Sequence, residues 1–160
     1  LVDQGNLEQM FALGRRAVND VRQTIDLATQ RPELDTRNGV SLVGYSVGSW
    51  VNSVAGAADP RVRAMVLMVG GALDLPAIAQ AIPQVAATDP RLALPHFGGR
   101  PVLMLNGRQD TTVPPDWARR LFAAAAEPKE QVWYDCGHLL CAEGYERAAR
   151  WLEERVHAVK

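Results

Sequence analysis

A serine between two glycines is the first group in this sequence that could do chemistry. Ser46 stands in the run Leu42-Val43-Gly44-Tyr45-Ser46-Val47-Gly48, where an apolar stretch typical of a buried strand reaches a turn. A serine at a sharp strand-to-helix turn presents its hydroxyl to a substrate, and glycines on both sides are expected because the strained backbone leaves no room for side chains. Ser46 is therefore the candidate nucleophile, and the alternative is a tight turn that merely contains a serine.

Two later side chains have the types that an activated serine needs. Asp110 and His138 each follow an apolar run typical of a buried strand. A histidine can take the proton from a serine hydroxyl, and an aspartate can hold the imidazole in the right tautomer and stabilise its charged form. The amide of Val47, at the start of the next helix, is placed to donate to a developing oxyanion.

Helical and strand patterns alternate along the chain. Apolar spacing predicts helices over 7–28, 49–58, 116–126 and 143–156, and continuous apolar runs predict strands over 40–44, 62–70, 101–107 and 131–135. This alternation implies an α/β fold of three layers, a parallel sheet of about four strands with helices on both faces. Ligands bind beyond the carboxyl ends of such strands, and Ser46, Asp110 and His138 all fall there. Their shared rim favours catalysis over a simple turn serine.

The segment 71–99 interrupts this alternation with four prolines and many alanines. We expect one or two short helices there and interpret the segment as an excursion or a cap over the site. The length of 160 residues and the hydrophobic fraction of 48% otherwise predict a single domain, 1–160.

Composition narrows the classes of partner. The net charge of -1 gives no field that would favour nucleic acid or an anionic membrane surface. No apolar stretch reaches the roughly 18 residues of a membrane span, and the N-terminus lacks the pattern of a signal peptide. Cys136 and Cys141 lack the spacing of a zinc site or a disulfide framework, so we interpret both as free thiols in a reducing, cytoplasmic location.

On these residues the chain resembles the α/β-hydrolases. Three motifs carry the resemblance, namely the nucleophile elbow, the acid loop and the histidine motif: Gly44-Tyr45-Ser46-Val47-Gly48, Asn106-Gly107-Arg108-Gln109-Asp110 with Val113-Pro114, and Gly137-His138. The lead-in Asp35-Thr36-Arg37-Asn38-Gly39-Val40 is similar to that of the branch containing dienelactone hydrolases, acetyl esterases and prolyl-oligopeptidase-like enzymes. The resemblance implies a Ser-Asp-His triad that needs no cofactor and no metal. Because some relatives place the acid after the second strand, Asp74 is an alternative to Asp110.

The sequence departs from the family pattern in two ways. Family members usually have about four further strands before the first helix, and a loop after one of them donates the second oxyanion amide. Without them, the strand Val40 to Val43 is expected to be an exposed apolar edge, covered by a second copy in a homodimer unless the chain is the C-terminal part of a longer hydrolase. Ser49 replaces a glycine common in relatives, a change expected to affect only helix packing.

These features predict a serine hydrolase that cleaves carboxylic esters with small or short-chain acyl groups through an acyl-enzyme. Its partner would be a small-molecule ester, because peptidase relatives select peptides with a large additional domain for which 160 residues leave no space. Two alternatives stay open at this point. The chain could be a catalytically silent α/β-hydrolase-like module for binding or assembly, or a fragment of a longer esterase or peptidase.

Overall fold

Helices and strands alternate in the computed structural model, which describes residues 4–75 and 82–157. The elements in chain order are α1 (Gln4–Thr29), β1 (Val40–Tyr45), α2 (Val47–Ala58), β2 (Val62–Met68), α3 (Pro83–Ala86), α4 (Pro90–Ala93), a 3-10 helix (Leu94–Phe97), β3 (Val102–Gly107), α5 (Pro115–Ala124), β4 (Lys129–Tyr134) and α6 (Ala142–His157). Every helix and strand predicted from the spacing of apolar residues is present. Their ends differ from the predicted ones by a few residues at most.

The four strands form one parallel sheet in the order β1-β2-β3-β4. Each strand is therefore the neighbour of the next in sequence, and a helix or helical segment crosses over between them. At the carboxyl ends, Tyr45 pairs with Met68 and Gly107 pairs with Tyr134. The loops that follow the strands consequently open on one edge of the sheet, as the sequence predicted.

Side chains of the sheet alternate between two apolar cores. Met65 and Met104 belong to the core shared with α1 and α5, whereas Val66 and Leu105 belong to the core on the opposite face. Trp151 of α6 fills that second core and is 1% exposed. Both faces of β2 and β3 are thus covered, which is why their sequences are continuously apolar. The predicted three-layer α/β fold is confirmed.

The interrupting segment forms three short helices, α3, α4 and the 3-10 helix, where one or two were expected. Residues 76–81 of this segment lie outside the described residues. In the described part, Leu94 and Phe97 are buried in the first core, and the Trp50 indole of α2 donates to the Thr88 carbonyl at 2.7 Å. The described part therefore packs against the layer that contains α2, and a role as a cap stays a prediction.

Strand β1 forms one edge of the sheet. Among the described residues it pairs only with β2, and Val43 at its centre is 48% exposed. Val43 pairs with Val66 of β2, and the two side chains lie on the same face of the sheet. Val66 is fully buried, whereas Val43 is not. The apolar edge that the sequence predicted is present in the described structure.

The two cysteines correct one expectation. Cys136 and Cys141 form a disulfide with a Cα–Cα distance of 6.0 Å, so the prediction of two free thiols is wrong. The turn between them brings the two residues to a separation typical of disulfides, which their spacing in sequence did not indicate. A reducing, cytoplasmic location loses this support, because disulfides are rare in that compartment. No helix within the described ranges is both long and apolar enough to cross a membrane.

Candidate active site

Ser46 occupies a strained turn between β1 and α2. Its φ of 52° and ψ of -115° lie in a region that residues with side chains rarely adopt. The turn is held because the Ser46 N–H donates to the Met68 carbonyl and the Ser46 carbonyl accepts from the Ser49 N–H, both at 2.9 Å. Such a conformation costs about 1–3 kcal/mol and persists only where its surroundings impose it. The strained turn expected from the sequence is present.

The two glycines of the turn differ in the space around them. A Cβ at Gly44 would lie 2.5 Å from the Gly48 carbonyl oxygen and 2.6 Å from the Ser49 nitrogen. A Cβ at Gly48 would meet none of the described atoms within 4 Å. The expected lack of room therefore holds for Gly44 and is wrong for Gly48, because the first turn of α2 leaves that side open.

We expect Gly44→Ala to destabilise the chain and Gly48→Ala to be tolerated. The clash at Gly44 is with backbone atoms of α2 that can move only if the turn itself moves, at a cost of about 1–3 kcal/mol. Gly48 lies inside a helix, where alanine is preferred to glycine by up to about 1 kcal/mol. Thermal unfolding followed by circular dichroism measures both, and equal midpoints for the two variants would contradict the steric argument.

Ser46, His138 and Asp110 are joined in one series of hydrogen bonds. The His138 Nε2 atom lies 2.9 Å from the Ser46 Oγ, and the His138 Nδ1 atom lies 2.8 Å from the Asp110 Oδ2. A carboxylate can only accept, so we assign the ring proton to Nδ1, which leaves Nε2 to accept from the serine hydroxyl. The structure thus brings the three predicted side chains together. The Asp110 side chain is 2% exposed, whereas that of His138 is 26% exposed.

The Asp110 carboxylate is oriented by the loop that follows it. Its Oδ1 accepts from the N–H groups of Thr112 at 2.9 Å and Val113 at 2.8 Å. These bonds satisfy one oxygen and direct the other toward the imidazole of His138. Both oxygens of the Asp110 carboxylate therefore have partners, and Oδ2 is the one that holds the imidazole in place.

Asp74, the alternative acid, has a different partner. Its carboxylate forms an ion pair with Arg120 at 3.3 Å, and its side chain is 72% exposed. The hydrogen bond to His138 Nδ1 comes from Asp110. The structure therefore pairs the imidazole with Asp110 and leaves Asp74 at the surface.

Val47 is the first residue of α2 and directly follows Ser46. The first N–H groups of a helix have no acceptor within that helix, and they lie at the positive end of its dipole. The Val47 side chain is 66% exposed, so this end of the helix is accessible from solvent. The amide has the position expected of an oxyanion donor, and that role is taken up below as a proposal.

The sequence interpretation missed the role of Ser49. Its side chain is fully buried, and its Oγ lies 2.9 Å from the Gly44 carbonyl and 2.9 Å from the Met68 carbonyl. We expected this residue to affect only helix packing, but it also links the turn at Ser46 to β2. Asn52 and Ser53 are buried in the same helix, so a polar residue at this position did not by itself single out Ser49 in the sequence.

Tyr45 joins the site through its side chain. Its ring lies edge-on to the His138 imidazole at a centroid distance of 5.9 Å and stacks on Tyr145 at 6.3 Å. Burial raises the pKa of Tyr134 on β4 above its ordinary value. Within the described ranges, no group of three or more His, Cys, Asp or Glu side chains could hold a metal ion.

No protein-family model and no curated protein sequence matches the chain. Several solved structures are similar to it. Acetyl xylan esterase 1 from Thermoanaerobacterium sp. JW/SL YS485 has a TM-score of 0.70 and 20% identity over 86% of this chain and 51% of its own. A putative dienelactone hydrolase from Klebsiella pneumoniae subsp. pneumoniae MGH 78578 has a TM-score of 0.65 and 19% identity over 84% of this chain and 59% of its own.

An alpha/beta hydrolase from Penicillium sp. sh18 is also similar, with a TM-score of 0.69 and 14% identity over 90% of this chain and 70% of its own. The chain thus spans about half of the length of the acetyl xylan esterase and somewhat more of the other two structures. At these identities the likeness concerns the fold. The chain has the fold of the α/β-hydrolases, as the sheet order, the strained serine turn and these similarities show.

Proposed function

We propose that the chain is a serine hydrolase that cleaves carboxylic esters of small acyl groups through an acyl-enzyme. One observation carries the proposal: the unbroken hydrogen-bonded series from the Ser46 hydroxyl through His138 to Asp110. The series lies at the carboxyl ends of parallel strands, which is where ligands bind in sheets of this kind.

The reaction begins when the Ser46 Oγ attacks the ester carbonyl and its proton passes to His138 Nε2. The Val47 N–H donates to the oxygen that becomes negatively charged, and Asp110 stabilises the imidazolium. Collapse of the tetrahedral intermediate breaks the bond to the leaving alcohol, which takes the proton from Nε2. A water molecule then gives a proton to the same Nε2 and attacks the acyl carbon of the acyl-enzyme. The bond from that carbon to the Ser46 Oγ breaks, Oγ takes the proton back from Nε2, and the carboxylic acid leaves.

A small or aromatic ester is the substrate class that we favour. The acetyl xylan esterase and the putative dienelactone hydrolase among the similar structures support an ester over an amide. Two apolar side chains, Val47 and Leu139, directly follow Ser46 and His138 in sequence and are 66% and 83% exposed. We propose that they contribute an apolar margin beside the hydroxyl. The proposed chemistry uses side chains and a backbone amide of this chain, with no cofactor.

The acyl-enzyme provides the direct test. The purified chain is mixed with p-nitrophenyl acetate, quenched in acid during the first turnovers and digested for mass spectrometry. We expect a burst of nitrophenol close to one equivalent of the chain and one acetyl group on the peptide that contains Ser46. Acetyl groups found only on lysine or on the other serines, with no burst, would reject the proposal.

Two observations favour the fragment alternative. The chain spans 51% of the acetyl xylan esterase, and the β1 edge leaves Val43 48% exposed. If further strands are needed, the chain alone would give no acetylation of Ser46, and strands supplied in trans would restore it. A catalytically silent module would stay unacetylated in both experiments.

The homodimer is a separate proposal for the cover of the β1 edge. A second copy that pairs there would protect the unpaired backbone groups and the apolar side chains of β1. Light scattering at micromolar concentration should then give twice the mass of one chain. A monomer at that concentration would exclude the dimer.

A further inference from the structure

The segment that carries His138 has no regular secondary structure. We call residues 135–141, between β4 and α6, the histidine loop. Near its ends, the Gln109 N–H donates to the Cys136 carbonyl at 3.1 Å, and the disulfide joins Cys136 to Cys141. These contacts close the loop, but they do not bind the backbone of His138 itself. The position of the imidazole must therefore depend on what holds the middle of the loop.

A single hydroxyl group holds the middle of the loop. The Tyr45 hydroxyl donates to the His138 carbonyl and accepts from the Leu140 N–H at 3.2 Å. A tyrosine hydroxyl has one proton to donate, and here that proton is used on the loop backbone. Among the described residues, no other hydrogen bond to the His138 carbonyl or from the Leu140 amide is present. Tyr45 thus fixes the backbone on both sides of Leu139.

The Tyr45 ring is itself well anchored. It belongs to the margin of the core beneath α6, lies edge-on to the His138 imidazole and stacks on the Tyr145 ring at an interplanar angle of 6°. Its backbone is the last residue of β1, paired with Met68, and the next residue is Ser46. A rigid aromatic side chain loses little conformational entropy when it is fixed in this way. Tyr45 therefore joins the strand of the nucleophile directly to the loop of the base.

We propose that Tyr45 is a positioning residue that sets the distance between the His138 Nε2 and the Ser46 Oγ. The inference rests on the proposed function, because the distance matters only if His138 takes the serine proton. Tyr45 does not act on the substrate, since its hydroxyl is engaged with the backbone of the histidine loop. It acts by holding the imidazole where the serine hydroxyl points at the ring nitrogen.

The test compares Tyr45→Phe with Tyr145→Phe. Both variants keep an aromatic ring in the stacked pair and remove one hydroxyl, but only Tyr45 is hydrogen-bonded to the loop backbone. With p-nitrophenyl acetate, we expect Tyr45→Phe to lower kcat about ten- to hundredfold with KM within about twofold, because a misplaced base weakens proton transfer more than binding. Tyr145→Phe is expected to keep the kcat and KM of the unsubstituted chain.

A second readout does not require ester hydrolysis. Diethyl pyrocarbonate modifies imidazole nitrogens, and both nitrogens of His138 are hydrogen-bonded while the loop is held. Mass spectrometry gives the rate at His138 relative to the exposed His96 in the same molecules. We expect a rate several-fold higher in Tyr45→Phe and unchanged in Tyr145→Phe, measured well below the unfolding temperature of each variant.

The outcomes separate this inference from the proposed function. Modification of His138 at an unchanged rate in Tyr45→Phe would overturn the inference, whatever the turnover. Equal losses of kcat in both tyrosine variants would also overturn it, because the effect would then belong to the stacked pair and not to the hydroxyl. If the unsubstituted chain shows no turnover that depends on Ser46, the proposed function fails, and the modification rate alone decides whether Tyr45 holds the loop.

Discussion

Replacing Ser46 with alanine should lower kcat/KM for p-nitrophenyl acetate by several powers of ten, on the order of 10⁴ to 10⁶. The Ser46 Oγ is the atom that attacks the ester carbonyl. The residues hydrogen-bonded in series with it act as a unit, so His138 and Asp110 cannot replace it when it is removed. The loss should appear in kcat, because the variant still has the surface that binds the ester. Initial rates at equal concentrations of chain provide the measurement.

Ser53→Ala is the matched control for this variant. Ser53 is a serine of the adjoining helix α2 and is fully buried, and its hydroxyl donates to the Ser49 carbonyl at 2.7 Å, one turn back in the helix. Its loss should change stability by no more than about 1 kcal/mol and leave kcat unaltered. If Ser46→Ala retains the activity of the unsubstituted chain, the acyl-enzyme mechanism is wrong. If Ser53→Ala loses as much as Ser46→Ala, the loss reports on folding and not on chemistry.

Asp110→Asn should lower kcat on the order of 10⁴-fold while the fold is kept. The amide oxygen can still accept from the N–H groups of Thr112 and Val113, so the acid loop keeps its hydrogen bonds. The amide nitrogen, however, donates toward His138 Nδ1 and favours the tautomer with the proton on Nε2. That tautomer cannot take the proton from Ser46, and the imidazolium loses its counter-charge.

Asp74→Asn is the control for Asp110→Asn, because Asp74 is the alternative acid of the triad predicted from the sequence. It removes an exposed ion pair with Arg120, of a kind that contributes about 0–1 kcal/mol, and should leave kcat unchanged. Activity measured in both asparagine variants decides between the two carboxylates. A large loss in Asp74→Asn with little change in Asp110→Asn would contradict the pairing seen in the structure.

The sequence by itself determined the layered α/β fold and the edge of the sheet where the site lies. Continuous apolar runs indicate strands that are buried on both faces, and helical spacing between them leaves a parallel sheet as the compact arrangement. The carboxyl ends of parallel strands share one edge, so Ser46, Asp110 and His138 had to lie on the same rim. The sequence predicted the turn at Ser46 and the need for a glycine at Gly44, because a strained turn constrains the residues next to it in sequence.

Only the tertiary structure decided which groups touch across that rim. Asp110 and Asp74 both follow strands, and the choice between them depends on loop paths that local patterns do not encode. The Cys136–Cys141 disulfide, the open space at Gly48 and the contact of Tyr45 with the histidine loop likewise depend on how separate segments meet. Periodicity reports which face of an element is buried. The distance between two side chains that are 93 residues apart, as Tyr45 and His138 are, is set by packing alone.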